Sequence, residues 1–381
     1  MEISKAGDRD LRAARLLVVD AWLPTPDRDA ASYQMMQLLR VFRQLSLEIA
    51  FGVDFYSPRR VESLAMLRAE GVDVINHQVD RPVLSHLREQ GDRYDLILLS
   101  RAHVARKYID EVRRFAPRAK LIFDTTDLSF LRGVRAAKVT GNAGLMRQAL
   151  DAKRDELYVA RGSDITLVVS EAERDLLTRE CPGIATGVVS LIRQTQHSVP
   201  PFAGREGILF IGAASHLPNL DGILHFCGQV LPVLARRLPG INLRIIGSNP
   251  PEAVRQYASE NCLVVGHVPD LTPLLNRSVL SIAPLRFGAG VKGKVVTSMA
   301  HGLPVVASSI AVEGIPALDG RDVLVADDPD TFADKIVTLY RNEALWSQLS
   351  RNGLGLVERW FSPAIARDAV LAVLQRLDVR L

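Results

Sequence analysis

The chain has 381 residues, too many for one ordinary domain and comfortable for two. Lys and Arg outnumber Asp and Glu by 47 to 43, and a net +4 is too thin and too dispersed for a dedicated nucleic-acid binder. With 48% hydrophobic and 24% charged residues, the bulk of the chain is globular with a real core, not disordered. The three cysteines, Cys181, Cys227 and Cys262, are scattered without CxxC spacing, which argues against a disulfide framework or a structural zinc site and fits a reducing cytosol. The first fifteen residues are polar and charged, unlike a signal peptide, and no window approaches the ~18 to 20 apolar residues of a membrane span. The expected location is cytoplasmic.

Leu16-Leu17-Val18-Val19 reads as a strand, followed by an amphipathic helix over 32–45 with Met35, Leu38, Leu39 and Phe42 at helical spacing. Further strands are expected at 47–53, 72–75, 96–99, 121–123 and 166–169, with helices between them. Continuous apolar runs alternating with helices indicate parallel strands covered on both faces. Pro200-Pro201 and the segment 204–207 interrupt the pattern, which then restarts with strands at 208–212, 243–247, 263–266, 279–283, 304–307 and 323–325. Helical stretches at 220–238, 330–349 and 362–377 complete the chain. The fold class is α/β: two doubly wound Rossmann-like domains, 1–198 and 199–361, facing across a cleft where ligands bind at the strands' carboxyl ends. A C-terminal helix, 362–381, is expected to pack back toward the first domain.

The segment 284–294 follows a strand and opens a helix, with three glycines, Gly288, Gly290 and Gly293, in six residues and the cations Arg286, Lys292 and Lys294. Converging backbone N–H groups, a helix N-terminus and fixed positive charge suit a diphosphate. A flexible basic loop is the plain alternative. The spacing matches neither GxxxxGK[ST] nor GxGxxG, so neither a P-loop NTPase nor a Rossmann dehydrogenase is indicated.

Phe210-Ile211-Gly212, Pro218-Asn219-Leu220-Asp221, Ile246-Gly247, Gly266-His267-Val268-Pro269-Asp270, the block from Pro284 to Ala307 and Glu313-Gly314 carry a resemblance. Residues 207–330 resemble the nucleotide-sugar-binding half of GT-B glycosyltransferases, specifically the retaining glycosyltransferase family 4 of the bacterial group 1 type. The first half is similar to the acceptor domain of one bacterial branch through the motif at 24–30, Ser100-Arg101-Ala102-His103-Val104 and Asp124-Thr125-Thr126-Asp127-Leu128. The resemblance implies a nucleoside-diphosphate sugar donor, a saccharide or lipid-linked acceptor and no cofactor. The diphosphate would lie against the loop from Gly288 to Lys294, with Gly288, Ala289, Gly290, Val291, Lys292 and Lys294 in contact with it. Gly212 would pack close to the phosphates. Gly266 and Val268 would offer backbone groups to the nucleobase, and His267 would either stack on it or serve as an exposed turn residue.

The sequence departs from this family where two glutamates eight positions apart are usual: Ala289 and Thr297 stand there. The Arg and Lys common after the first donor-domain strand are also absent, with Ala213 and Pro218 nearby instead. Arg286, Lys292 and Lys294 are expected to take over stabilisation of the leaving diphosphate. Glu313 either supplies the missing carboxylate or caps a turn, and Asp270 is read as the cap of a helix over 271–275. His103, just after a strand, either contacts sugar or phosphate or starts a helix. Asp124 and Asp127 either meet sugar or acceptor or form an Asx turn. Arg132 and Arg135 either meet an anionic acceptor or form a solvated face. His216 and His301 border the donor pocket. Asp27-Arg28-Asp29 has metal-ligand spacing but is read as hydrogen bonding or a helix start, so metal-independent transfer with retention is expected, in bacterial cell-surface polysaccharide synthesis. A nucleotide-sugar 2-epimerase and a non-catalytic nucleotide-sugar-binding partner are the alternatives. The basic pairs Arg59-Arg60 and Arg113-Arg114 allow a peripheral contact with the inner face of the membrane, or are solvated helix faces.

Overall fold

Apolar strands with no polar face need cover on both sides, and the computed structural model supplies that cover twice. It describes residues 13–55, 61–75 and 82–379, so Arg59, Arg60 and the polar first twelve residues lie outside the described residues. Strands β1 (Arg15–Asp20), β2 (Glu48–Val53), β3 (Val72–Val74), β4 (Leu96–Ser100), β5 (Lys120–Asp124), β6 (Ile165–Val168) and β7 (Thr186–Val188) form a parallel sheet in the order β3-β2-β1-β4-β5-β6-β7. Strands β8 (Ile208–Ile211), β9 (Leu243–Ile246), β10 (Cys262–Gly266), β11 (Leu280–Ala283), β12 (Val305–Ala307) and β13 (Leu324–Val325) form a second one, ordered β10-β9-β8-β11-β12-β13.

Side-chain alternation builds a core on each face. Leu16, Val18, Leu96 and Leu98 enter one cluster of the first sheet, while Leu17, Val19, Ile97 and Leu99 enter the other. In the second sheet Ile208, Phe210, Leu280 and Ile282 share a face, and Leu209 turns to the opposite one. Both strand orders reverse beside the first strand of the sheet, at β1/β4 and β8/β11. The loops after those strands diverge, which opens a crevice at each switch point.

Three differences from the sequence reading have local causes. β7 is only three residues long and centred on Gly187, too short for a periodic signal; a Cβ there would stand 2.8 Å from a methyl of Val373. The stretch 330–349 spans two helices, Pro329–Tyr340 and Glu343–Phe361, because Asn342 caps the second by accepting from the Leu345 N–H. The helix expected at 220–238 is Leu217–His225, one wide π turn at Phe226–Val230, then Leu231–Arg237.

The chain passes from the first sheet to the second once, through 189–207, and returns at the end of Glu343–Phe361. The returning helix, Pro363–Arg376, buries Ala366, Val370, Val373 and Leu374 in a core of the first sheet. The two crossings touch: the Arg193 N–H donates to the Phe361 carbonyl at 2.7 Å. Among the described residues no helix is long and apolar enough to cross a membrane. Arg113 is no part of a free basic patch, since it donates to the Gly162 carbonyl and pairs with Asp164 at 3.0 Å. Truncating the fully buried Leu374 to Ala should destabilise the first core by ~2–5 kcal/mol, the range for a buried leucine. Thermal melting would check this as a shift of the earlier of two transitions.

Candidate functional site

A cleft of about 1050 Å³ lies between the carboxyl ends of the two sheets. His103, Asp124 and Asp127 line it from the first sheet's side. Gly212, His216, His267, Val268, Gly288, Ala289, Gly290, Val291, Lys292, Lys294 and Thr297 line it from the second. Gly266, Arg286 and Glu313 do not, and each has another task. Gly266 has φ +85° and its carbonyl accepts the Gly247 N–H at 2.8 Å, so its backbone belongs to the sheet edge. Arg286 points away into an ion pair with Asp221, its Nε donating at 2.8 Å. Glu313 accepts from Arg135 at 2.6 and 2.7 Å, a contact between the two halves of the molecule.

The glycine-rich loop differs from the expected phosphate cradle. The Gly290 N–H donates to Glu173 Oε1 at 2.9 Å, and the Gly290 carbonyl accepts from Lys292 Nζ at 2.7 Å. The Gly288 carbonyl accepts from Arg135 at 2.8 Å, and Val291 sinks into a hydrophobic cluster. Gly290 sits at φ +66°, and a Cβ there would meet that of Asp127 at 2.9 Å, so only glycine fits. The Gly288 carbonyl and the Gly290 N–H of the loop therefore join the halves. Lys292 is likewise committed: it is buried, its ammonium lies 3.7 Å from Glu313, and desolvation brings its pKa down to about 8.

Lys294 remains. Its Nζ donates to Asn219 Oδ1 at 2.5 Å and stands 4.6 Å from the centroid of the Phe210 ring. Desolvation lowers its pKa to about 7, and no carboxylate among the described residues lies within ion-pairing distance. A Cβ on Gly212 would meet this ammonium at 2.9 Å and the Asn219 amide at 2.8 Å, so Gly212 makes room for Lys294 itself. The turn after β8 lacks its own cation, and Lys294 brings one to it. The helix Gly293–Ala300 has no side-chain cap, and the N–H groups of Gly293 and Lys294 have no acceptor among the described residues. Uncapped N–H groups at the positive end of a helix are an anion site in waiting.

Thr297, one turn on, accepts from Arg193 Nε at 3.0 Å, a partner absent from the sequence reading. Arg193 is 6% exposed and lines the cleft. His216 precedes the helix Leu217–His225; burial and then Arg132 hold its pKa down to about 4, so it is neutral at pH 7. His301 is turned to the Thr297 carbonyl, 2.9 Å from Nδ1. Asp270 accepts from the Thr272 N–H at 2.9 Å, but the helix it serves is Thr272–Arg277, one residue later than expected.

Opposite, the first sheet offers a connected set of polar groups. Asp124 at the end of β5 accepts from Ser100 Oγ at 2.8 Å and from the Thr126 N–H, and burial raises its pKa to about 6. Arg101 Nε donates to Asp20 at 2.6 Å, and its backbone holds φ 70°, a strained value for a side-chain-bearing residue. His103 follows near the start of the helix Ala102–Phe115, its pKa lowered by burial and then by Arg101. Asp127 is paired with Arg132. Asp29 caps the helix Ala30–Gln44, accepting from the Ser32 N–H at 2.7 Å. Asp27 reaches across the cleft to 3.2 Å from His267 Nε2, which is thereby edge-bonded to a carboxylate from the other half. Among the described residues no three His, Cys, Asp or Glu side chains are grouped to hold a metal ion.

Residues 205–342 match the family model described as "Glycosyl transferases group 1". This segment is similar to a group 1 glycosyltransferase domain. The Gly293–Ala300 helix start, Lys294 and Thr297 all lie inside it. A curated relative, an uncharacterised 44.6 kDa protein in a cps region of Klebsiella pneumoniae, is 25% identical over 160 residues; the match spans 40% of this chain and 41% of that one. Sucrose-phosphate synthase from Thermosynechococcus elongatus superposes with a TM-score of 0.74 at 14% identity, over 96% of this chain and 99% of that structure. HepE from Anabaena, solved with UDP and glucose, gives 0.70 at 14% identity, over 95% and 99%. These likenesses show the fold: two facing doubly wound sheets, the GT-B arrangement.

Arg135, a candidate acceptor contact in the sequence, instead bonds Glu313 and the Gly288 carbonyl, and Glu173 and Arg193 carry no sequence signal of a site. Arg135 had a visible signal in its one-turn spacing from Arg132; Glu173 and Arg193 act through long-range contacts that no spacing encodes. Because Arg286 lies outside the cleft, Arg286→Ala should leave nucleoside diphosphate affinity within about twofold of wild type, as expected of a surface change; isothermal calorimetry would check it. Burial raises Glu173 to about 7 from its ordinary 4.5. The folded state thus holds this proton more tightly than the unfolded one, and its stabilising share is complete below the unfolded value and lost as pH rises through about 7. Glu173→Gln, neutral throughout, should flatten that part of the pH–Tm curve, which melting at a series of pH values would show.

Proposed function

We propose that this chain transfers a sugar from a nucleoside-diphosphate sugar to a saccharide or lipid-linked acceptor, with retention and without a metal, in cell-surface polysaccharide synthesis. The observation that carries the reading is the uncapped N-terminus of Gly293–Ala300 beside the carboxylate-free ammonium of Lys294. Breaking the bond between the anomeric carbon and the diphosphate leaves negative charge on the phosphate oxygen. Oriented N–H groups and a cation aimed there stabilise that charge more than they stabilise the bound donor, which lowers the barrier. The acceptor oxygen forms its bond to the anomeric carbon on the face the diphosphate leaves, and its proton passes to the departing phosphate oxygen.

The acceptor fits the opposite wall, where Asp124 and His103 offer hydrogen-bonding groups to a hydroxyl. A cleft of about 1050 Å³ is large enough for a nucleotide sugar and one acceptor sugar together. The match of 205–342 to the glycosyltransferase domain, UDP and glucose in HepE, and the relative's place in a cps region support the same reading.

A thermal-shift and calorimetry panel of UDP, GDP and dTDP with and without EDTA tests it: one nucleotide family should stabilise the protein equally in both conditions. Binding by none of them, or only with a divalent cation, would overturn the donor site or its metal independence respectively. The pKa of about 7 at Lys294 adds a signature. The protonated amine binds the diphosphate, so affinity should fall as pH rises through about 7 and level off above about 9. Lys294→Met should bind roughly 10- to 100-fold more weakly at pH 6, the size of one charge-assisted contact, and lose this pH dependence.

A further inference from the structure

We propose that Arg193 is a phosphate-binding residue of the donor site, kept available as an unneutralised cation by the hydroxyl of Thr297; this rests on the donor-site reading above. Arg193 belongs to neither sheet. It lies on the connection 189–207, yet its side chain is 6% exposed and lines the cleft. Every contact that holds it is neutral. Nε donates to Thr297 Oγ1 at 3.0 Å and Nη1 to the Ile192 carbonyl at 2.8 Å. The guanidinium carbon stands 4.2 Å from the centroid of the Tyr33 ring. Nη2 has no acceptor among the described residues, and none of their carboxylates lies within ion-pairing distance.

A buried guanidinium without a counter-ion is costly; Arg205, similarly buried, donates from every nitrogen to main-chain carbonyls, whereas Arg193 keeps Nη2 unmet beside the cleft. The place where an anion would meet it is already marked by independent features. A Cβ built on Gly293 would stand 3.2 Å from Arg193 Nη2, so the guanidinium lies against the first residue of the uncapped helix. The free N–H groups of Gly293 and Lys294 and the Nη2 edge of Arg193 thus meet from two separate parts of the chain, and Lys294 lines the same cleft. Arginine's planar fork suits two phosphate oxygens at once. Thr297 matters because of what it is not. A carboxylate at that position would sit against Nε, take the fork and cancel the charge.

The test is calorimetry of whichever of UDP, GDP or dTDP binds, alongside its parent nucleoside, with wild type, Arg193→Gln and Thr297→Glu. Arg193→Gln should lose roughly 10- to 100-fold in diphosphate affinity, as for a hydrogen bond to a charged group, with nucleoside affinity changed less than about twofold. Thr297→Glu, which leaves Arg193 in place, should weaken the diphosphate comparably, and it decides alone should Arg193→Gln not fold. Unchanged diphosphate affinity in Arg193→Gln, a proportional loss of nucleoside and diphosphate, or tighter binding by Thr297→Glu would each overturn the assignment while leaving the donor site standing. Failure of wild type to bind any of the three would instead remove the donor site itself, and Arg193's assignment with it.

Discussion

Positive charge withdrawn from water without a carboxylate to meet it is the constraint around which this molecule is arranged. Lys292 satisfies the ordinary rule, buried near Glu313, while Arg286 stays in water on Asp221. Lys294, Arg193 and Arg205 do not satisfy it, although Arg205 donates from all three guanidinium nitrogens to the carbonyls of Pro200, Pro201, Leu275 and Ser278. Much of the local structure around the cleft is explained as support for Lys294. Phe210 turns its ring to the Lys294 ammonium, Asn219 fixes it, and Gly212 gives up a side chain to admit it. Gly212 is pressed from the other side as well, since a Cβ on Gly247 would come within 2.0 Å of the Gly212 carbonyl oxygen. Two adjacent strand ends of the second sheet are therefore glycine for steric reasons, one set by Lys294 and the other by the neighbouring backbone.

The loop that carries the strongest sequence signal does different work. Its glycines let the first half of the molecule approach closely: Asp127 lies against Gly290, and Glu173 receives the Gly290 N–H. Arg135 spans from its helix to both the Gly288 carbonyl and Glu313. A glycine-rich loop beside a cleft has two uses for exposed backbone, a ligand or a neighbouring domain, and composition is the same for both. Geometry separates them, and here the Gly288 carbonyl and the Gly290 N–H go to the neighbouring half.

The order of elements was legible because buried parallel strands are apolar along their whole length and helices declare themselves by period. β7 was not, being three residues around a glycine whose size is set by Val373, some 186 residues away in sequence. At the site, Lys294 was visible as a cation on a helix start, but Lys292 and Arg286 looked the same on paper. What distinguishes the three is the carboxylate each finds in space: Glu313 and Asp221 for two of them and none for the third. Arg193 left no local trace, since its neighbours Tyr33, Thr297 and Phe361 come from three distant segments.

The chain joins its halves at two places, the outgoing connection and the return after Phe361, and these are bonded together through Arg193 and Phe361 and again through Thr195 and Glu358 at 3.0 Å. A single tether would let two bodies tumble freely. Two tethers fastened side by side act as a door hinge: they suppress sliding and twist and leave one rotation as the soft coordinate. Arg193 is a pin of that hinge and, through its side chain, a wall of the cleft. Arg193 thus belongs at once to the junction of the two crossings and to the lining of the cleft.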